Sequence, residues 1–198
     1  MIILTGGAGM IGSMIAWHLN TILKKNRFII VDDCIVPEQE KNINKRDFAD
    51  LIGKDDLPKY LKKNNQIEAI IHMGAISATT ENNFNNLLKS NIRYSQFLWD
   101  WASANQVPII YASSAATYGN GEFGYKDNSD ALLNYKPLNA YGYSKHFFDM
   151  WVQDQLQQNL PKPPKWFGLK FFNDYGPNEY HKGCLLYTSD VADDTPCV

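Results

Sequence analysis

At 198 residues and 44% hydrophobic, the chain can bury one substantial core, and no domain boundary stands out. A formal net charge of −2 at pH 7 leaves no electrostatic footprint for nucleic acid or an anionic membrane surface. No apolar run reaches transmembrane length and the opening residues do not read as a signal peptide, so a cytoplasmic protein without a membrane partner is expected.

Met1-Ile2-Ile3-Leu4 reads as a short strand buried on both faces of a parallel sheet. It runs into Thr5-Gly6-Gly7-Ala8-Gly9-Met10-Ile11-Gly12 and then an apolar-periodic helix from Met10 to about Leu23. The glycines fit both GxGxxG and GxxGxxG. Between a strand and a helix they permit a tight turn, let the backbone approach a pyrophosphate and aim helix N–H groups at the phosphates. A second strand, Phe28–Val31, ends in Asp32-Asp33, where an acidic residue would grip the ribose 2′-hydroxyl of NAD. Lys41, Lys45, Arg46 and Lys54 follow, any of which could meet a 2′-phosphate, so spacing leaves NAD and NADP both open.

Strand and helix patterns then alternate, which favours a doubly wound α/β fold of the Rossmann type. Leu57–Lys63 is a short helix, Ala69–His72 a buried strand, and Met73–Ser77 the loop at its C-terminal end. A long helix from Phe84 to Ala104 precedes the strand Pro108–Tyr111, and a helix from Tyr141 to about Gln158 precedes the strand Trp166–Phe172, with Pro161–Pro164 between them as a loop. Ligands of open α/β sheets bind beyond the carboxyl ends of the strands. That singles out Gly6–Gly12, Asp32-Asp33, Gly74–Ser77, Ser113–Tyr118 and Asn173–Pro177.

Two of these neighbourhoods carry chemistry. Tyr141 and Lys145 lie four apart, on one helix face, where an ammonium stabilises the phenolate and draws its pKa down from ~10. The Ser113–Gly119 segment follows a strand, so a hydroxyl there can bond a substrate oxygen and exchange a proton with Tyr141. Tyr143 projects from another helix face and does not substitute as a base. Trp99-Asp100-Trp101 reads as helix packing. Cys34, Cys184 and Cys197 lack CxxC or zinc spacing and read as reduced thiols, and His18, His72 and His146 do not cluster, so no metal site is expected.

Taken together, Thr5-Gly6-x-x-Gly9-x-x-Gly12, His72-x-Gly74-Ala75, Ser114-Ala115-Ala116-x-Tyr118-Gly119 and Tyr141-x-x-x-Lys145 resemble the extended short-chain dehydrogenase/reductase family, the nucleotide-sugar epimerases and dehydratases, over residues 1–183. Four longer strings narrow this to the ADP-heptose 6-epimerase branch: His72 to Glu81, Tyr111 to Gly119, Lys136 to Lys145, and Asn173-x-Tyr175-Gly176-Pro177-x-Glu179-x-His181-Lys182-Gly183. The resemblance implies transient oxidation at C6″ of an ADP-linked heptose, for the lipopolysaccharide core, with hydride returned to the other face. Tyr141 and Lys182 would be the two proton-transfer groups, Lys145 would lower the Tyr141 pKa and hold the ribose, and Ser114 would orient the reacting oxygen. Carried over position by position, the cofactor contacts are Gly6, Gly9, Met10, Ile11, Gly12, Asp32, Asp33, Lys41, Lys54, Met73, Gly74, Ala75, Ile76, Ser77, Asn91, Lys145 and Asp174. Substrate contacts are Ser114 and Asn173. Asp174 departs from the family, which has an apolar residue there. Lys41 and Lys54 shift the implied cofactor to NADP, and the full-length protein is implied to be a homo-oligomer.

After Gly183 the pattern stops, and residues 184–198 match no family continuation. They are expected to be a foreign or disordered tail, with residues 1–183 forming the dinucleotide-binding domain and the substrate domain largely missing. Two alternatives stay open: a non-catalytic NADP-binding fragment, and another nucleotide-sugar epimerase such as a UDP-hexose 4-epimerase.

Overall fold

The computed structural model describes residues 1–33, 37–64, 66–127 and 129–178. Six strands pair in parallel: β1 (Ile2–Thr5), β2 (Phe28–Val31), β3 (Asp50–Ile52), β4 (Ala69–His72), β5 (Ile109–Ser114) and β6 (Trp166–Phe171). Their spatial order is β3-β2-β1-β4-β5-β6. Between them run the helices α1 (Met10–Thr21), α2 (Pro37–Ile43), α3 (Leu57–Lys63), α4 (Phe84–Leu87), α5 (Tyr94–Ala104), α6 (Ser129–Leu132) and α7 (Ala140–Gln157). A π-helical turn, Leu88–Arg93, joins α4 to α5, and a 3-10 turn, Ala115–Tyr118, follows β5. The expected doubly wound sheet is present.

Period-two alternation sorts the strand residues onto two cores. Ile2, Leu4, Phe28 and Ile30 meet Ala16 and Leu19 of α1 and Ile43 of α2. Ile3, Ile29, Ile70, Ile109 and Tyr111 face the other way, onto Leu57 of α3, Leu98 and Trp99 of α5, and Phe148 and Val152 of α7. Trp99 is fully buried, edge-on to Tyr111, Trp151 and Trp166, which bears out its reading as packing. Strand order reverses between β1 and β4, and there the loops at the carboxyl ends diverge and open a crevice.

The structure revises several elements. β5 continues to Ser114, three residues beyond expectation, so the two serines stand on the strand in register with Lys170 and Phe171. The long helix from Phe84 is interrupted by the π turn. α2, β3 and α6 were not read from the sequence. β3 is a three-residue edge strand, and Asp50-Leu51-Ile52 buries none of its residues, so it carries no apolar signal. The foreign or disordered tail expected at residues 184–198, like Cys34 and Lys182, falls outside the described residues.

Candidate active site

The turn after β1 is built around contacts no other residue type would allow. Gly6 has φ +67°, and a Cβ there would lie 2.5 Å from the Gly74 nitrogen. A Cβ on Gly12 would stand 2.0 Å from the Gly6 carbonyl oxygen. Ala8 is clamped from both sides, its N–H donating to Asp32 Oδ2 at 2.9 Å and its carbonyl accepting from Asn42 Nδ2 at 2.9 Å. α1 begins at Gly9 with no side-chain cap and no acidic residue in its first turn. Its leading N–H groups therefore face the crevice, as an anion requires.

That crevice encloses 370 Å³ between the glycine turn, the Met73–Ser77 loop, the π turn and α7. Of the residues singled out in the sequence, Gly6, Gly9, Met10, Ile11, Gly12, Asp32, Asp33, Lys54, Met73, Gly74, Ala75, Ile76, Ser77, Tyr141 and Lys145 line it. Beyond β2, at one end of the crevice, Asp33 pairs with Lys54 at 2.8 Å. Burial pushes the Asp33 carboxyl up, but the hydrogen bonds and charge of Lys54 outweigh it and hold the group below the usual range.

At the other end stand Tyr141 and Lys145, with the Ser114 hydroxyl close to the phenol. Asn139 caps α7 by accepting from the Gly142 N–H at 2.8 Å, which sets Tyr141 in the first turn. Burial raises the Tyr141 phenol above its ordinary value, and the neighbouring Ser114 hydroxyl pulls the other way. Lys145 is 4% exposed and donates to the Ala112 carbonyl at 2.8 Å, not to the phenol. The sequence reading had Lys145 lowering the Tyr141 pKa; in this geometry the phenol is instead raised, because desolvation dominates and the ammonium is engaged by the backbone.

A buried relay ties the two ends together. The Gly74 N–H donates to Thr5 Oγ1 (3.1 Å), which lies 2.6 Å from His72 Nδ1; His72 Nε2 lies 2.9 Å from Ser95 Oγ, which donates to the Asn91 carbonyl at 2.7 Å. Since Ser95 spends its proton on a carbonyl, His72 must donate through Nε2 and accept from Thr5 at Nδ1. Asn91 is 1% exposed and does not line the crevice. It brackets Ile76, accepting from its N–H and donating to its carbonyl, and donates to Ser144 Oγ at 2.9 Å. Ser144 in turn donates to the Tyr141 carbonyl at 2.7 Å. The π turn thus carries the residue that joins cofactor loop to tyrosine helix.

A model of the NAD dependent epimerase/dehydratase family matches residues 2–186. The chain belongs to this family. ADP-L-glycero-D-manno-heptose-6-epimerase of Fusobacterium nucleatum is 51% identical over 188 residues, covering 92% of this chain and 55% of the relative. That of Nitratidesulfovibrio vulgaris is 41% identical, with 92% and 56% covered. The chain therefore spans about half the length of the curated relatives it matches. The crystal structure of the Helicobacter pylori ADP-L-glycero-D-manno-heptose-6-epimerase superposes with a TM-score of 0.77 at 29% identity, covering 92% of this chain and 58% of that one. A UDP-glucuronic acid 4-epimerase from Bacillus cereus, complexed with UDP-glucuronic acid and NAD, shares the fold at 24% identity and TM-score 0.69.

Within this epimerase/dehydratase fold some expected residues stand apart. Lys41, in the last turn of α2, is exposed and outside the crevice. Asn173 and Asp174 are exposed after β6, and Asp174 borders a separate cavity of 520 Å³ between α1 and that segment. That cavity is larger but lined mainly by side chains such as Met14, Leu19 and Phe171, and lacks the tyrosine–lysine pair. Ser114 is buried and, unlike Tyr141 and Lys145, does not itself line the crevice. Thr5, Asn42, Ser95 and Asn91 act as supports. Asn91 alone was singled out beforehand, and only as a cofactor contact; Asn42 and Ser95 are polar residues in helical stretches that only the tertiary structure shows to be buried.

Proposed function

We propose that the chain is the cofactor-binding part of an ADP-heptose 6-epimerase, acting with NADP. One observation carries the reading: Tyr141 and a buried Lys145 stand at one end of a crevice whose other end is a glycine turn before an uncapped helix. The glycine contacts and free N–H groups fit a dinucleotide pyrophosphate. A nicotinamide cofactor, when bound, supplies the reversible hydride acceptor for the sugar carbon. Tyr141 then holds or releases a proton at the sugar oxygen, with Ser114 orienting it. Lys182 would be the proton-transfer group for the second face. NADP is preferred because Lys54 stands at the ribose end, where a 2′-phosphate would compete with Asp33 for its ammonium.

The test is turnover of ADP-D-glycero-D-manno-heptose by this chain, with and without Tyr141→Phe. Epimerisation that falls at least about 100-fold in the variant supports the reading. Cofactor binding without any turnover supports the second one, a non-catalytic NADP-binding fragment, which the exposure of the apolar side chains Phe172 (61%) and Tyr175 (79%) after β6 favours. Equal affinity for NADP and NAD in a fluorescence titration would sink the cofactor preference.

A further inference from the structure

Lys145 is an ammonium almost cut off from water, and one backbone carbonyl is a thin substitute for hydration. Burial draws its pKa down to about 8, and the Asp149 charge opposes that fall. Asp149 lies one helical turn further along α7, hence on the same face. Its carboxylate is 6% exposed. Ser113 Oγ and Lys170 Nζ both donate to Oδ2, each at 2.6 Å, while Oδ1 has no hydrogen-bond partner among the described residues. A carboxylate whose only task was to bind Lys170 would gain from using both oxygens. Lys170 also donates to Thr117 Oγ1 at 2.8 Å, and Thr117 to the Ser114 carbonyl at 2.7 Å, so the same group braces the turn beneath Ser114.

We propose that Asp149 is the counter-charge of Lys145, a positioning residue that keeps the ammonium protonated beside Tyr141, and that Lys170 limits how much of its field Lys145 receives. The proposal rests on reading Tyr141 and Lys145 as the acid/base pair. The charged and titratable groups around Lys145 are few. Its own helix gives Tyr141, Asp149 and His146, β4 gives His72, and β6 gives Lys170 through Asp149. His72 is held neutral by burial, with the Lys145 charge acting in the same direction. β5 offers the Ala112 carbonyl, two serine hydroxyls and the Tyr111 phenol, which burial and the Asp149 charge keep neutral, and the π turn places Lys89 at the rim of the crevice. Asp149 is thus the sole anion that acts on Lys145 from within this shell.

The test titrates the side-chain carbon and nitrogen NMR resonances of Lys145 in the ligand-free chain, assigned by their loss in Lys145→Arg. Asp149→Asn, nearly isosteric, lowers the Lys145 midpoint by about one pH unit. Asp149→Glu keeps the charge and restores most of it. Lys170→Met removes the competing cation and moves the midpoint upward. An unchanged midpoint in Asp149→Asn, or shifts of the same sign in Asp149→Asn and Lys170→Met, overturns the proposal. Should Asp149→Asn not fold, Lys170→Met decides alone: a rise supports the counter-charge, a fall or no movement refutes it. Because the readout needs no substrate, it can fail while epimerisation stands, and the reverse.

Discussion

His72 shows how one buried side chain fixes a pH response. Burial pulls its pKa from 6.5 to about 3, with the Lys145 charge adding to the effect, and Thr5 and Ser95 bond its neutral form. The unfolded chain therefore takes up a proton below pH 6.5 that the native chain refuses until about pH 3. Native stability from this group is complete above 6.5 and drains away as pH falls. His146, also lowered by burial, adds in the same direction. Between pH 6.5 and 5, above the carboxylate range, His72 alone costs about 2 kcal/mol. Urea midpoints measured across that window should fall with acid, and His72→Gln should flatten the dependence. A slope identical in the variant would assign the effect elsewhere. The sequence showed His72 as a histidine ending a buried strand, but the relay was not legible, since Thr5 and Ser95 are distant in the chain and meet only through the pairing of Thr5 with His72.

At the scale of elements, glycine turn and α1 were the most legible, because strand, Gly6–Gly12 and helix each constrain the next. Gly12 makes the point energetically. Inside a helix, alanine is better than glycine by about 1 kcal/mol. A Cβ at position 12 would nevertheless strike the Gly6 backbone at 2.0 Å, and overpacking of this kind costs about 1–3 kcal/mol. Sterics should win: Gly12→Ala is expected to unfold at lower denaturant and to lose at least about tenfold in dinucleotide affinity. An alanine variant more stable than the parent would mean that α1 can slide off the turn. β3 escaped the reading because an edge strand with no buried residue has no pattern to show, and the π turn because a wider coil leaves helical periodicity nearly intact. Ser114 and Tyr141 were found by motif, whereas Asp149 and Lys170 were not, since a carboxylate and an ammonium read as surface residues until the fold buries them.

For the molecule as a whole, the sheet is covered unevenly. α3, α5 and α7 back the one face, while α1 and α2 lie over β1 and β2 on the other. Beyond β4 that second face has no helix among the described residues: Phe167 pairs in register with Ile110 and Leu169 with Ala112, and they are 57% and 42% exposed. An apolar strip of this kind binds hydrophobic dyes and self-associates. Phe167→Ser with Leu169→Thr should cut dye fluorescence to about half or less without shifting the far-ultraviolet spectrum. Dye binding unaltered by both changes would place the exposed apolar surface elsewhere. The fold class followed from alternating apolar runs, but which half of the sheet stays bare depended on where each helix crosses, which periodicity does not encode.

The relay beneath the crevice has a consequence for how this site moves. Every proton along Gly74, Thr5, His72, Ser95 and Asn91 points one way, because the chain starts on an amide that can only give and ends on a carbonyl that can only take. Lifting the Met73–Ser77 loop strands Thr5 at one end and unseats the Asn91 side chain from Ile76 at the other. The Met73–Ser77 loop and the helix that bears Tyr141 are thus held to one another through Asn91 and Ser144.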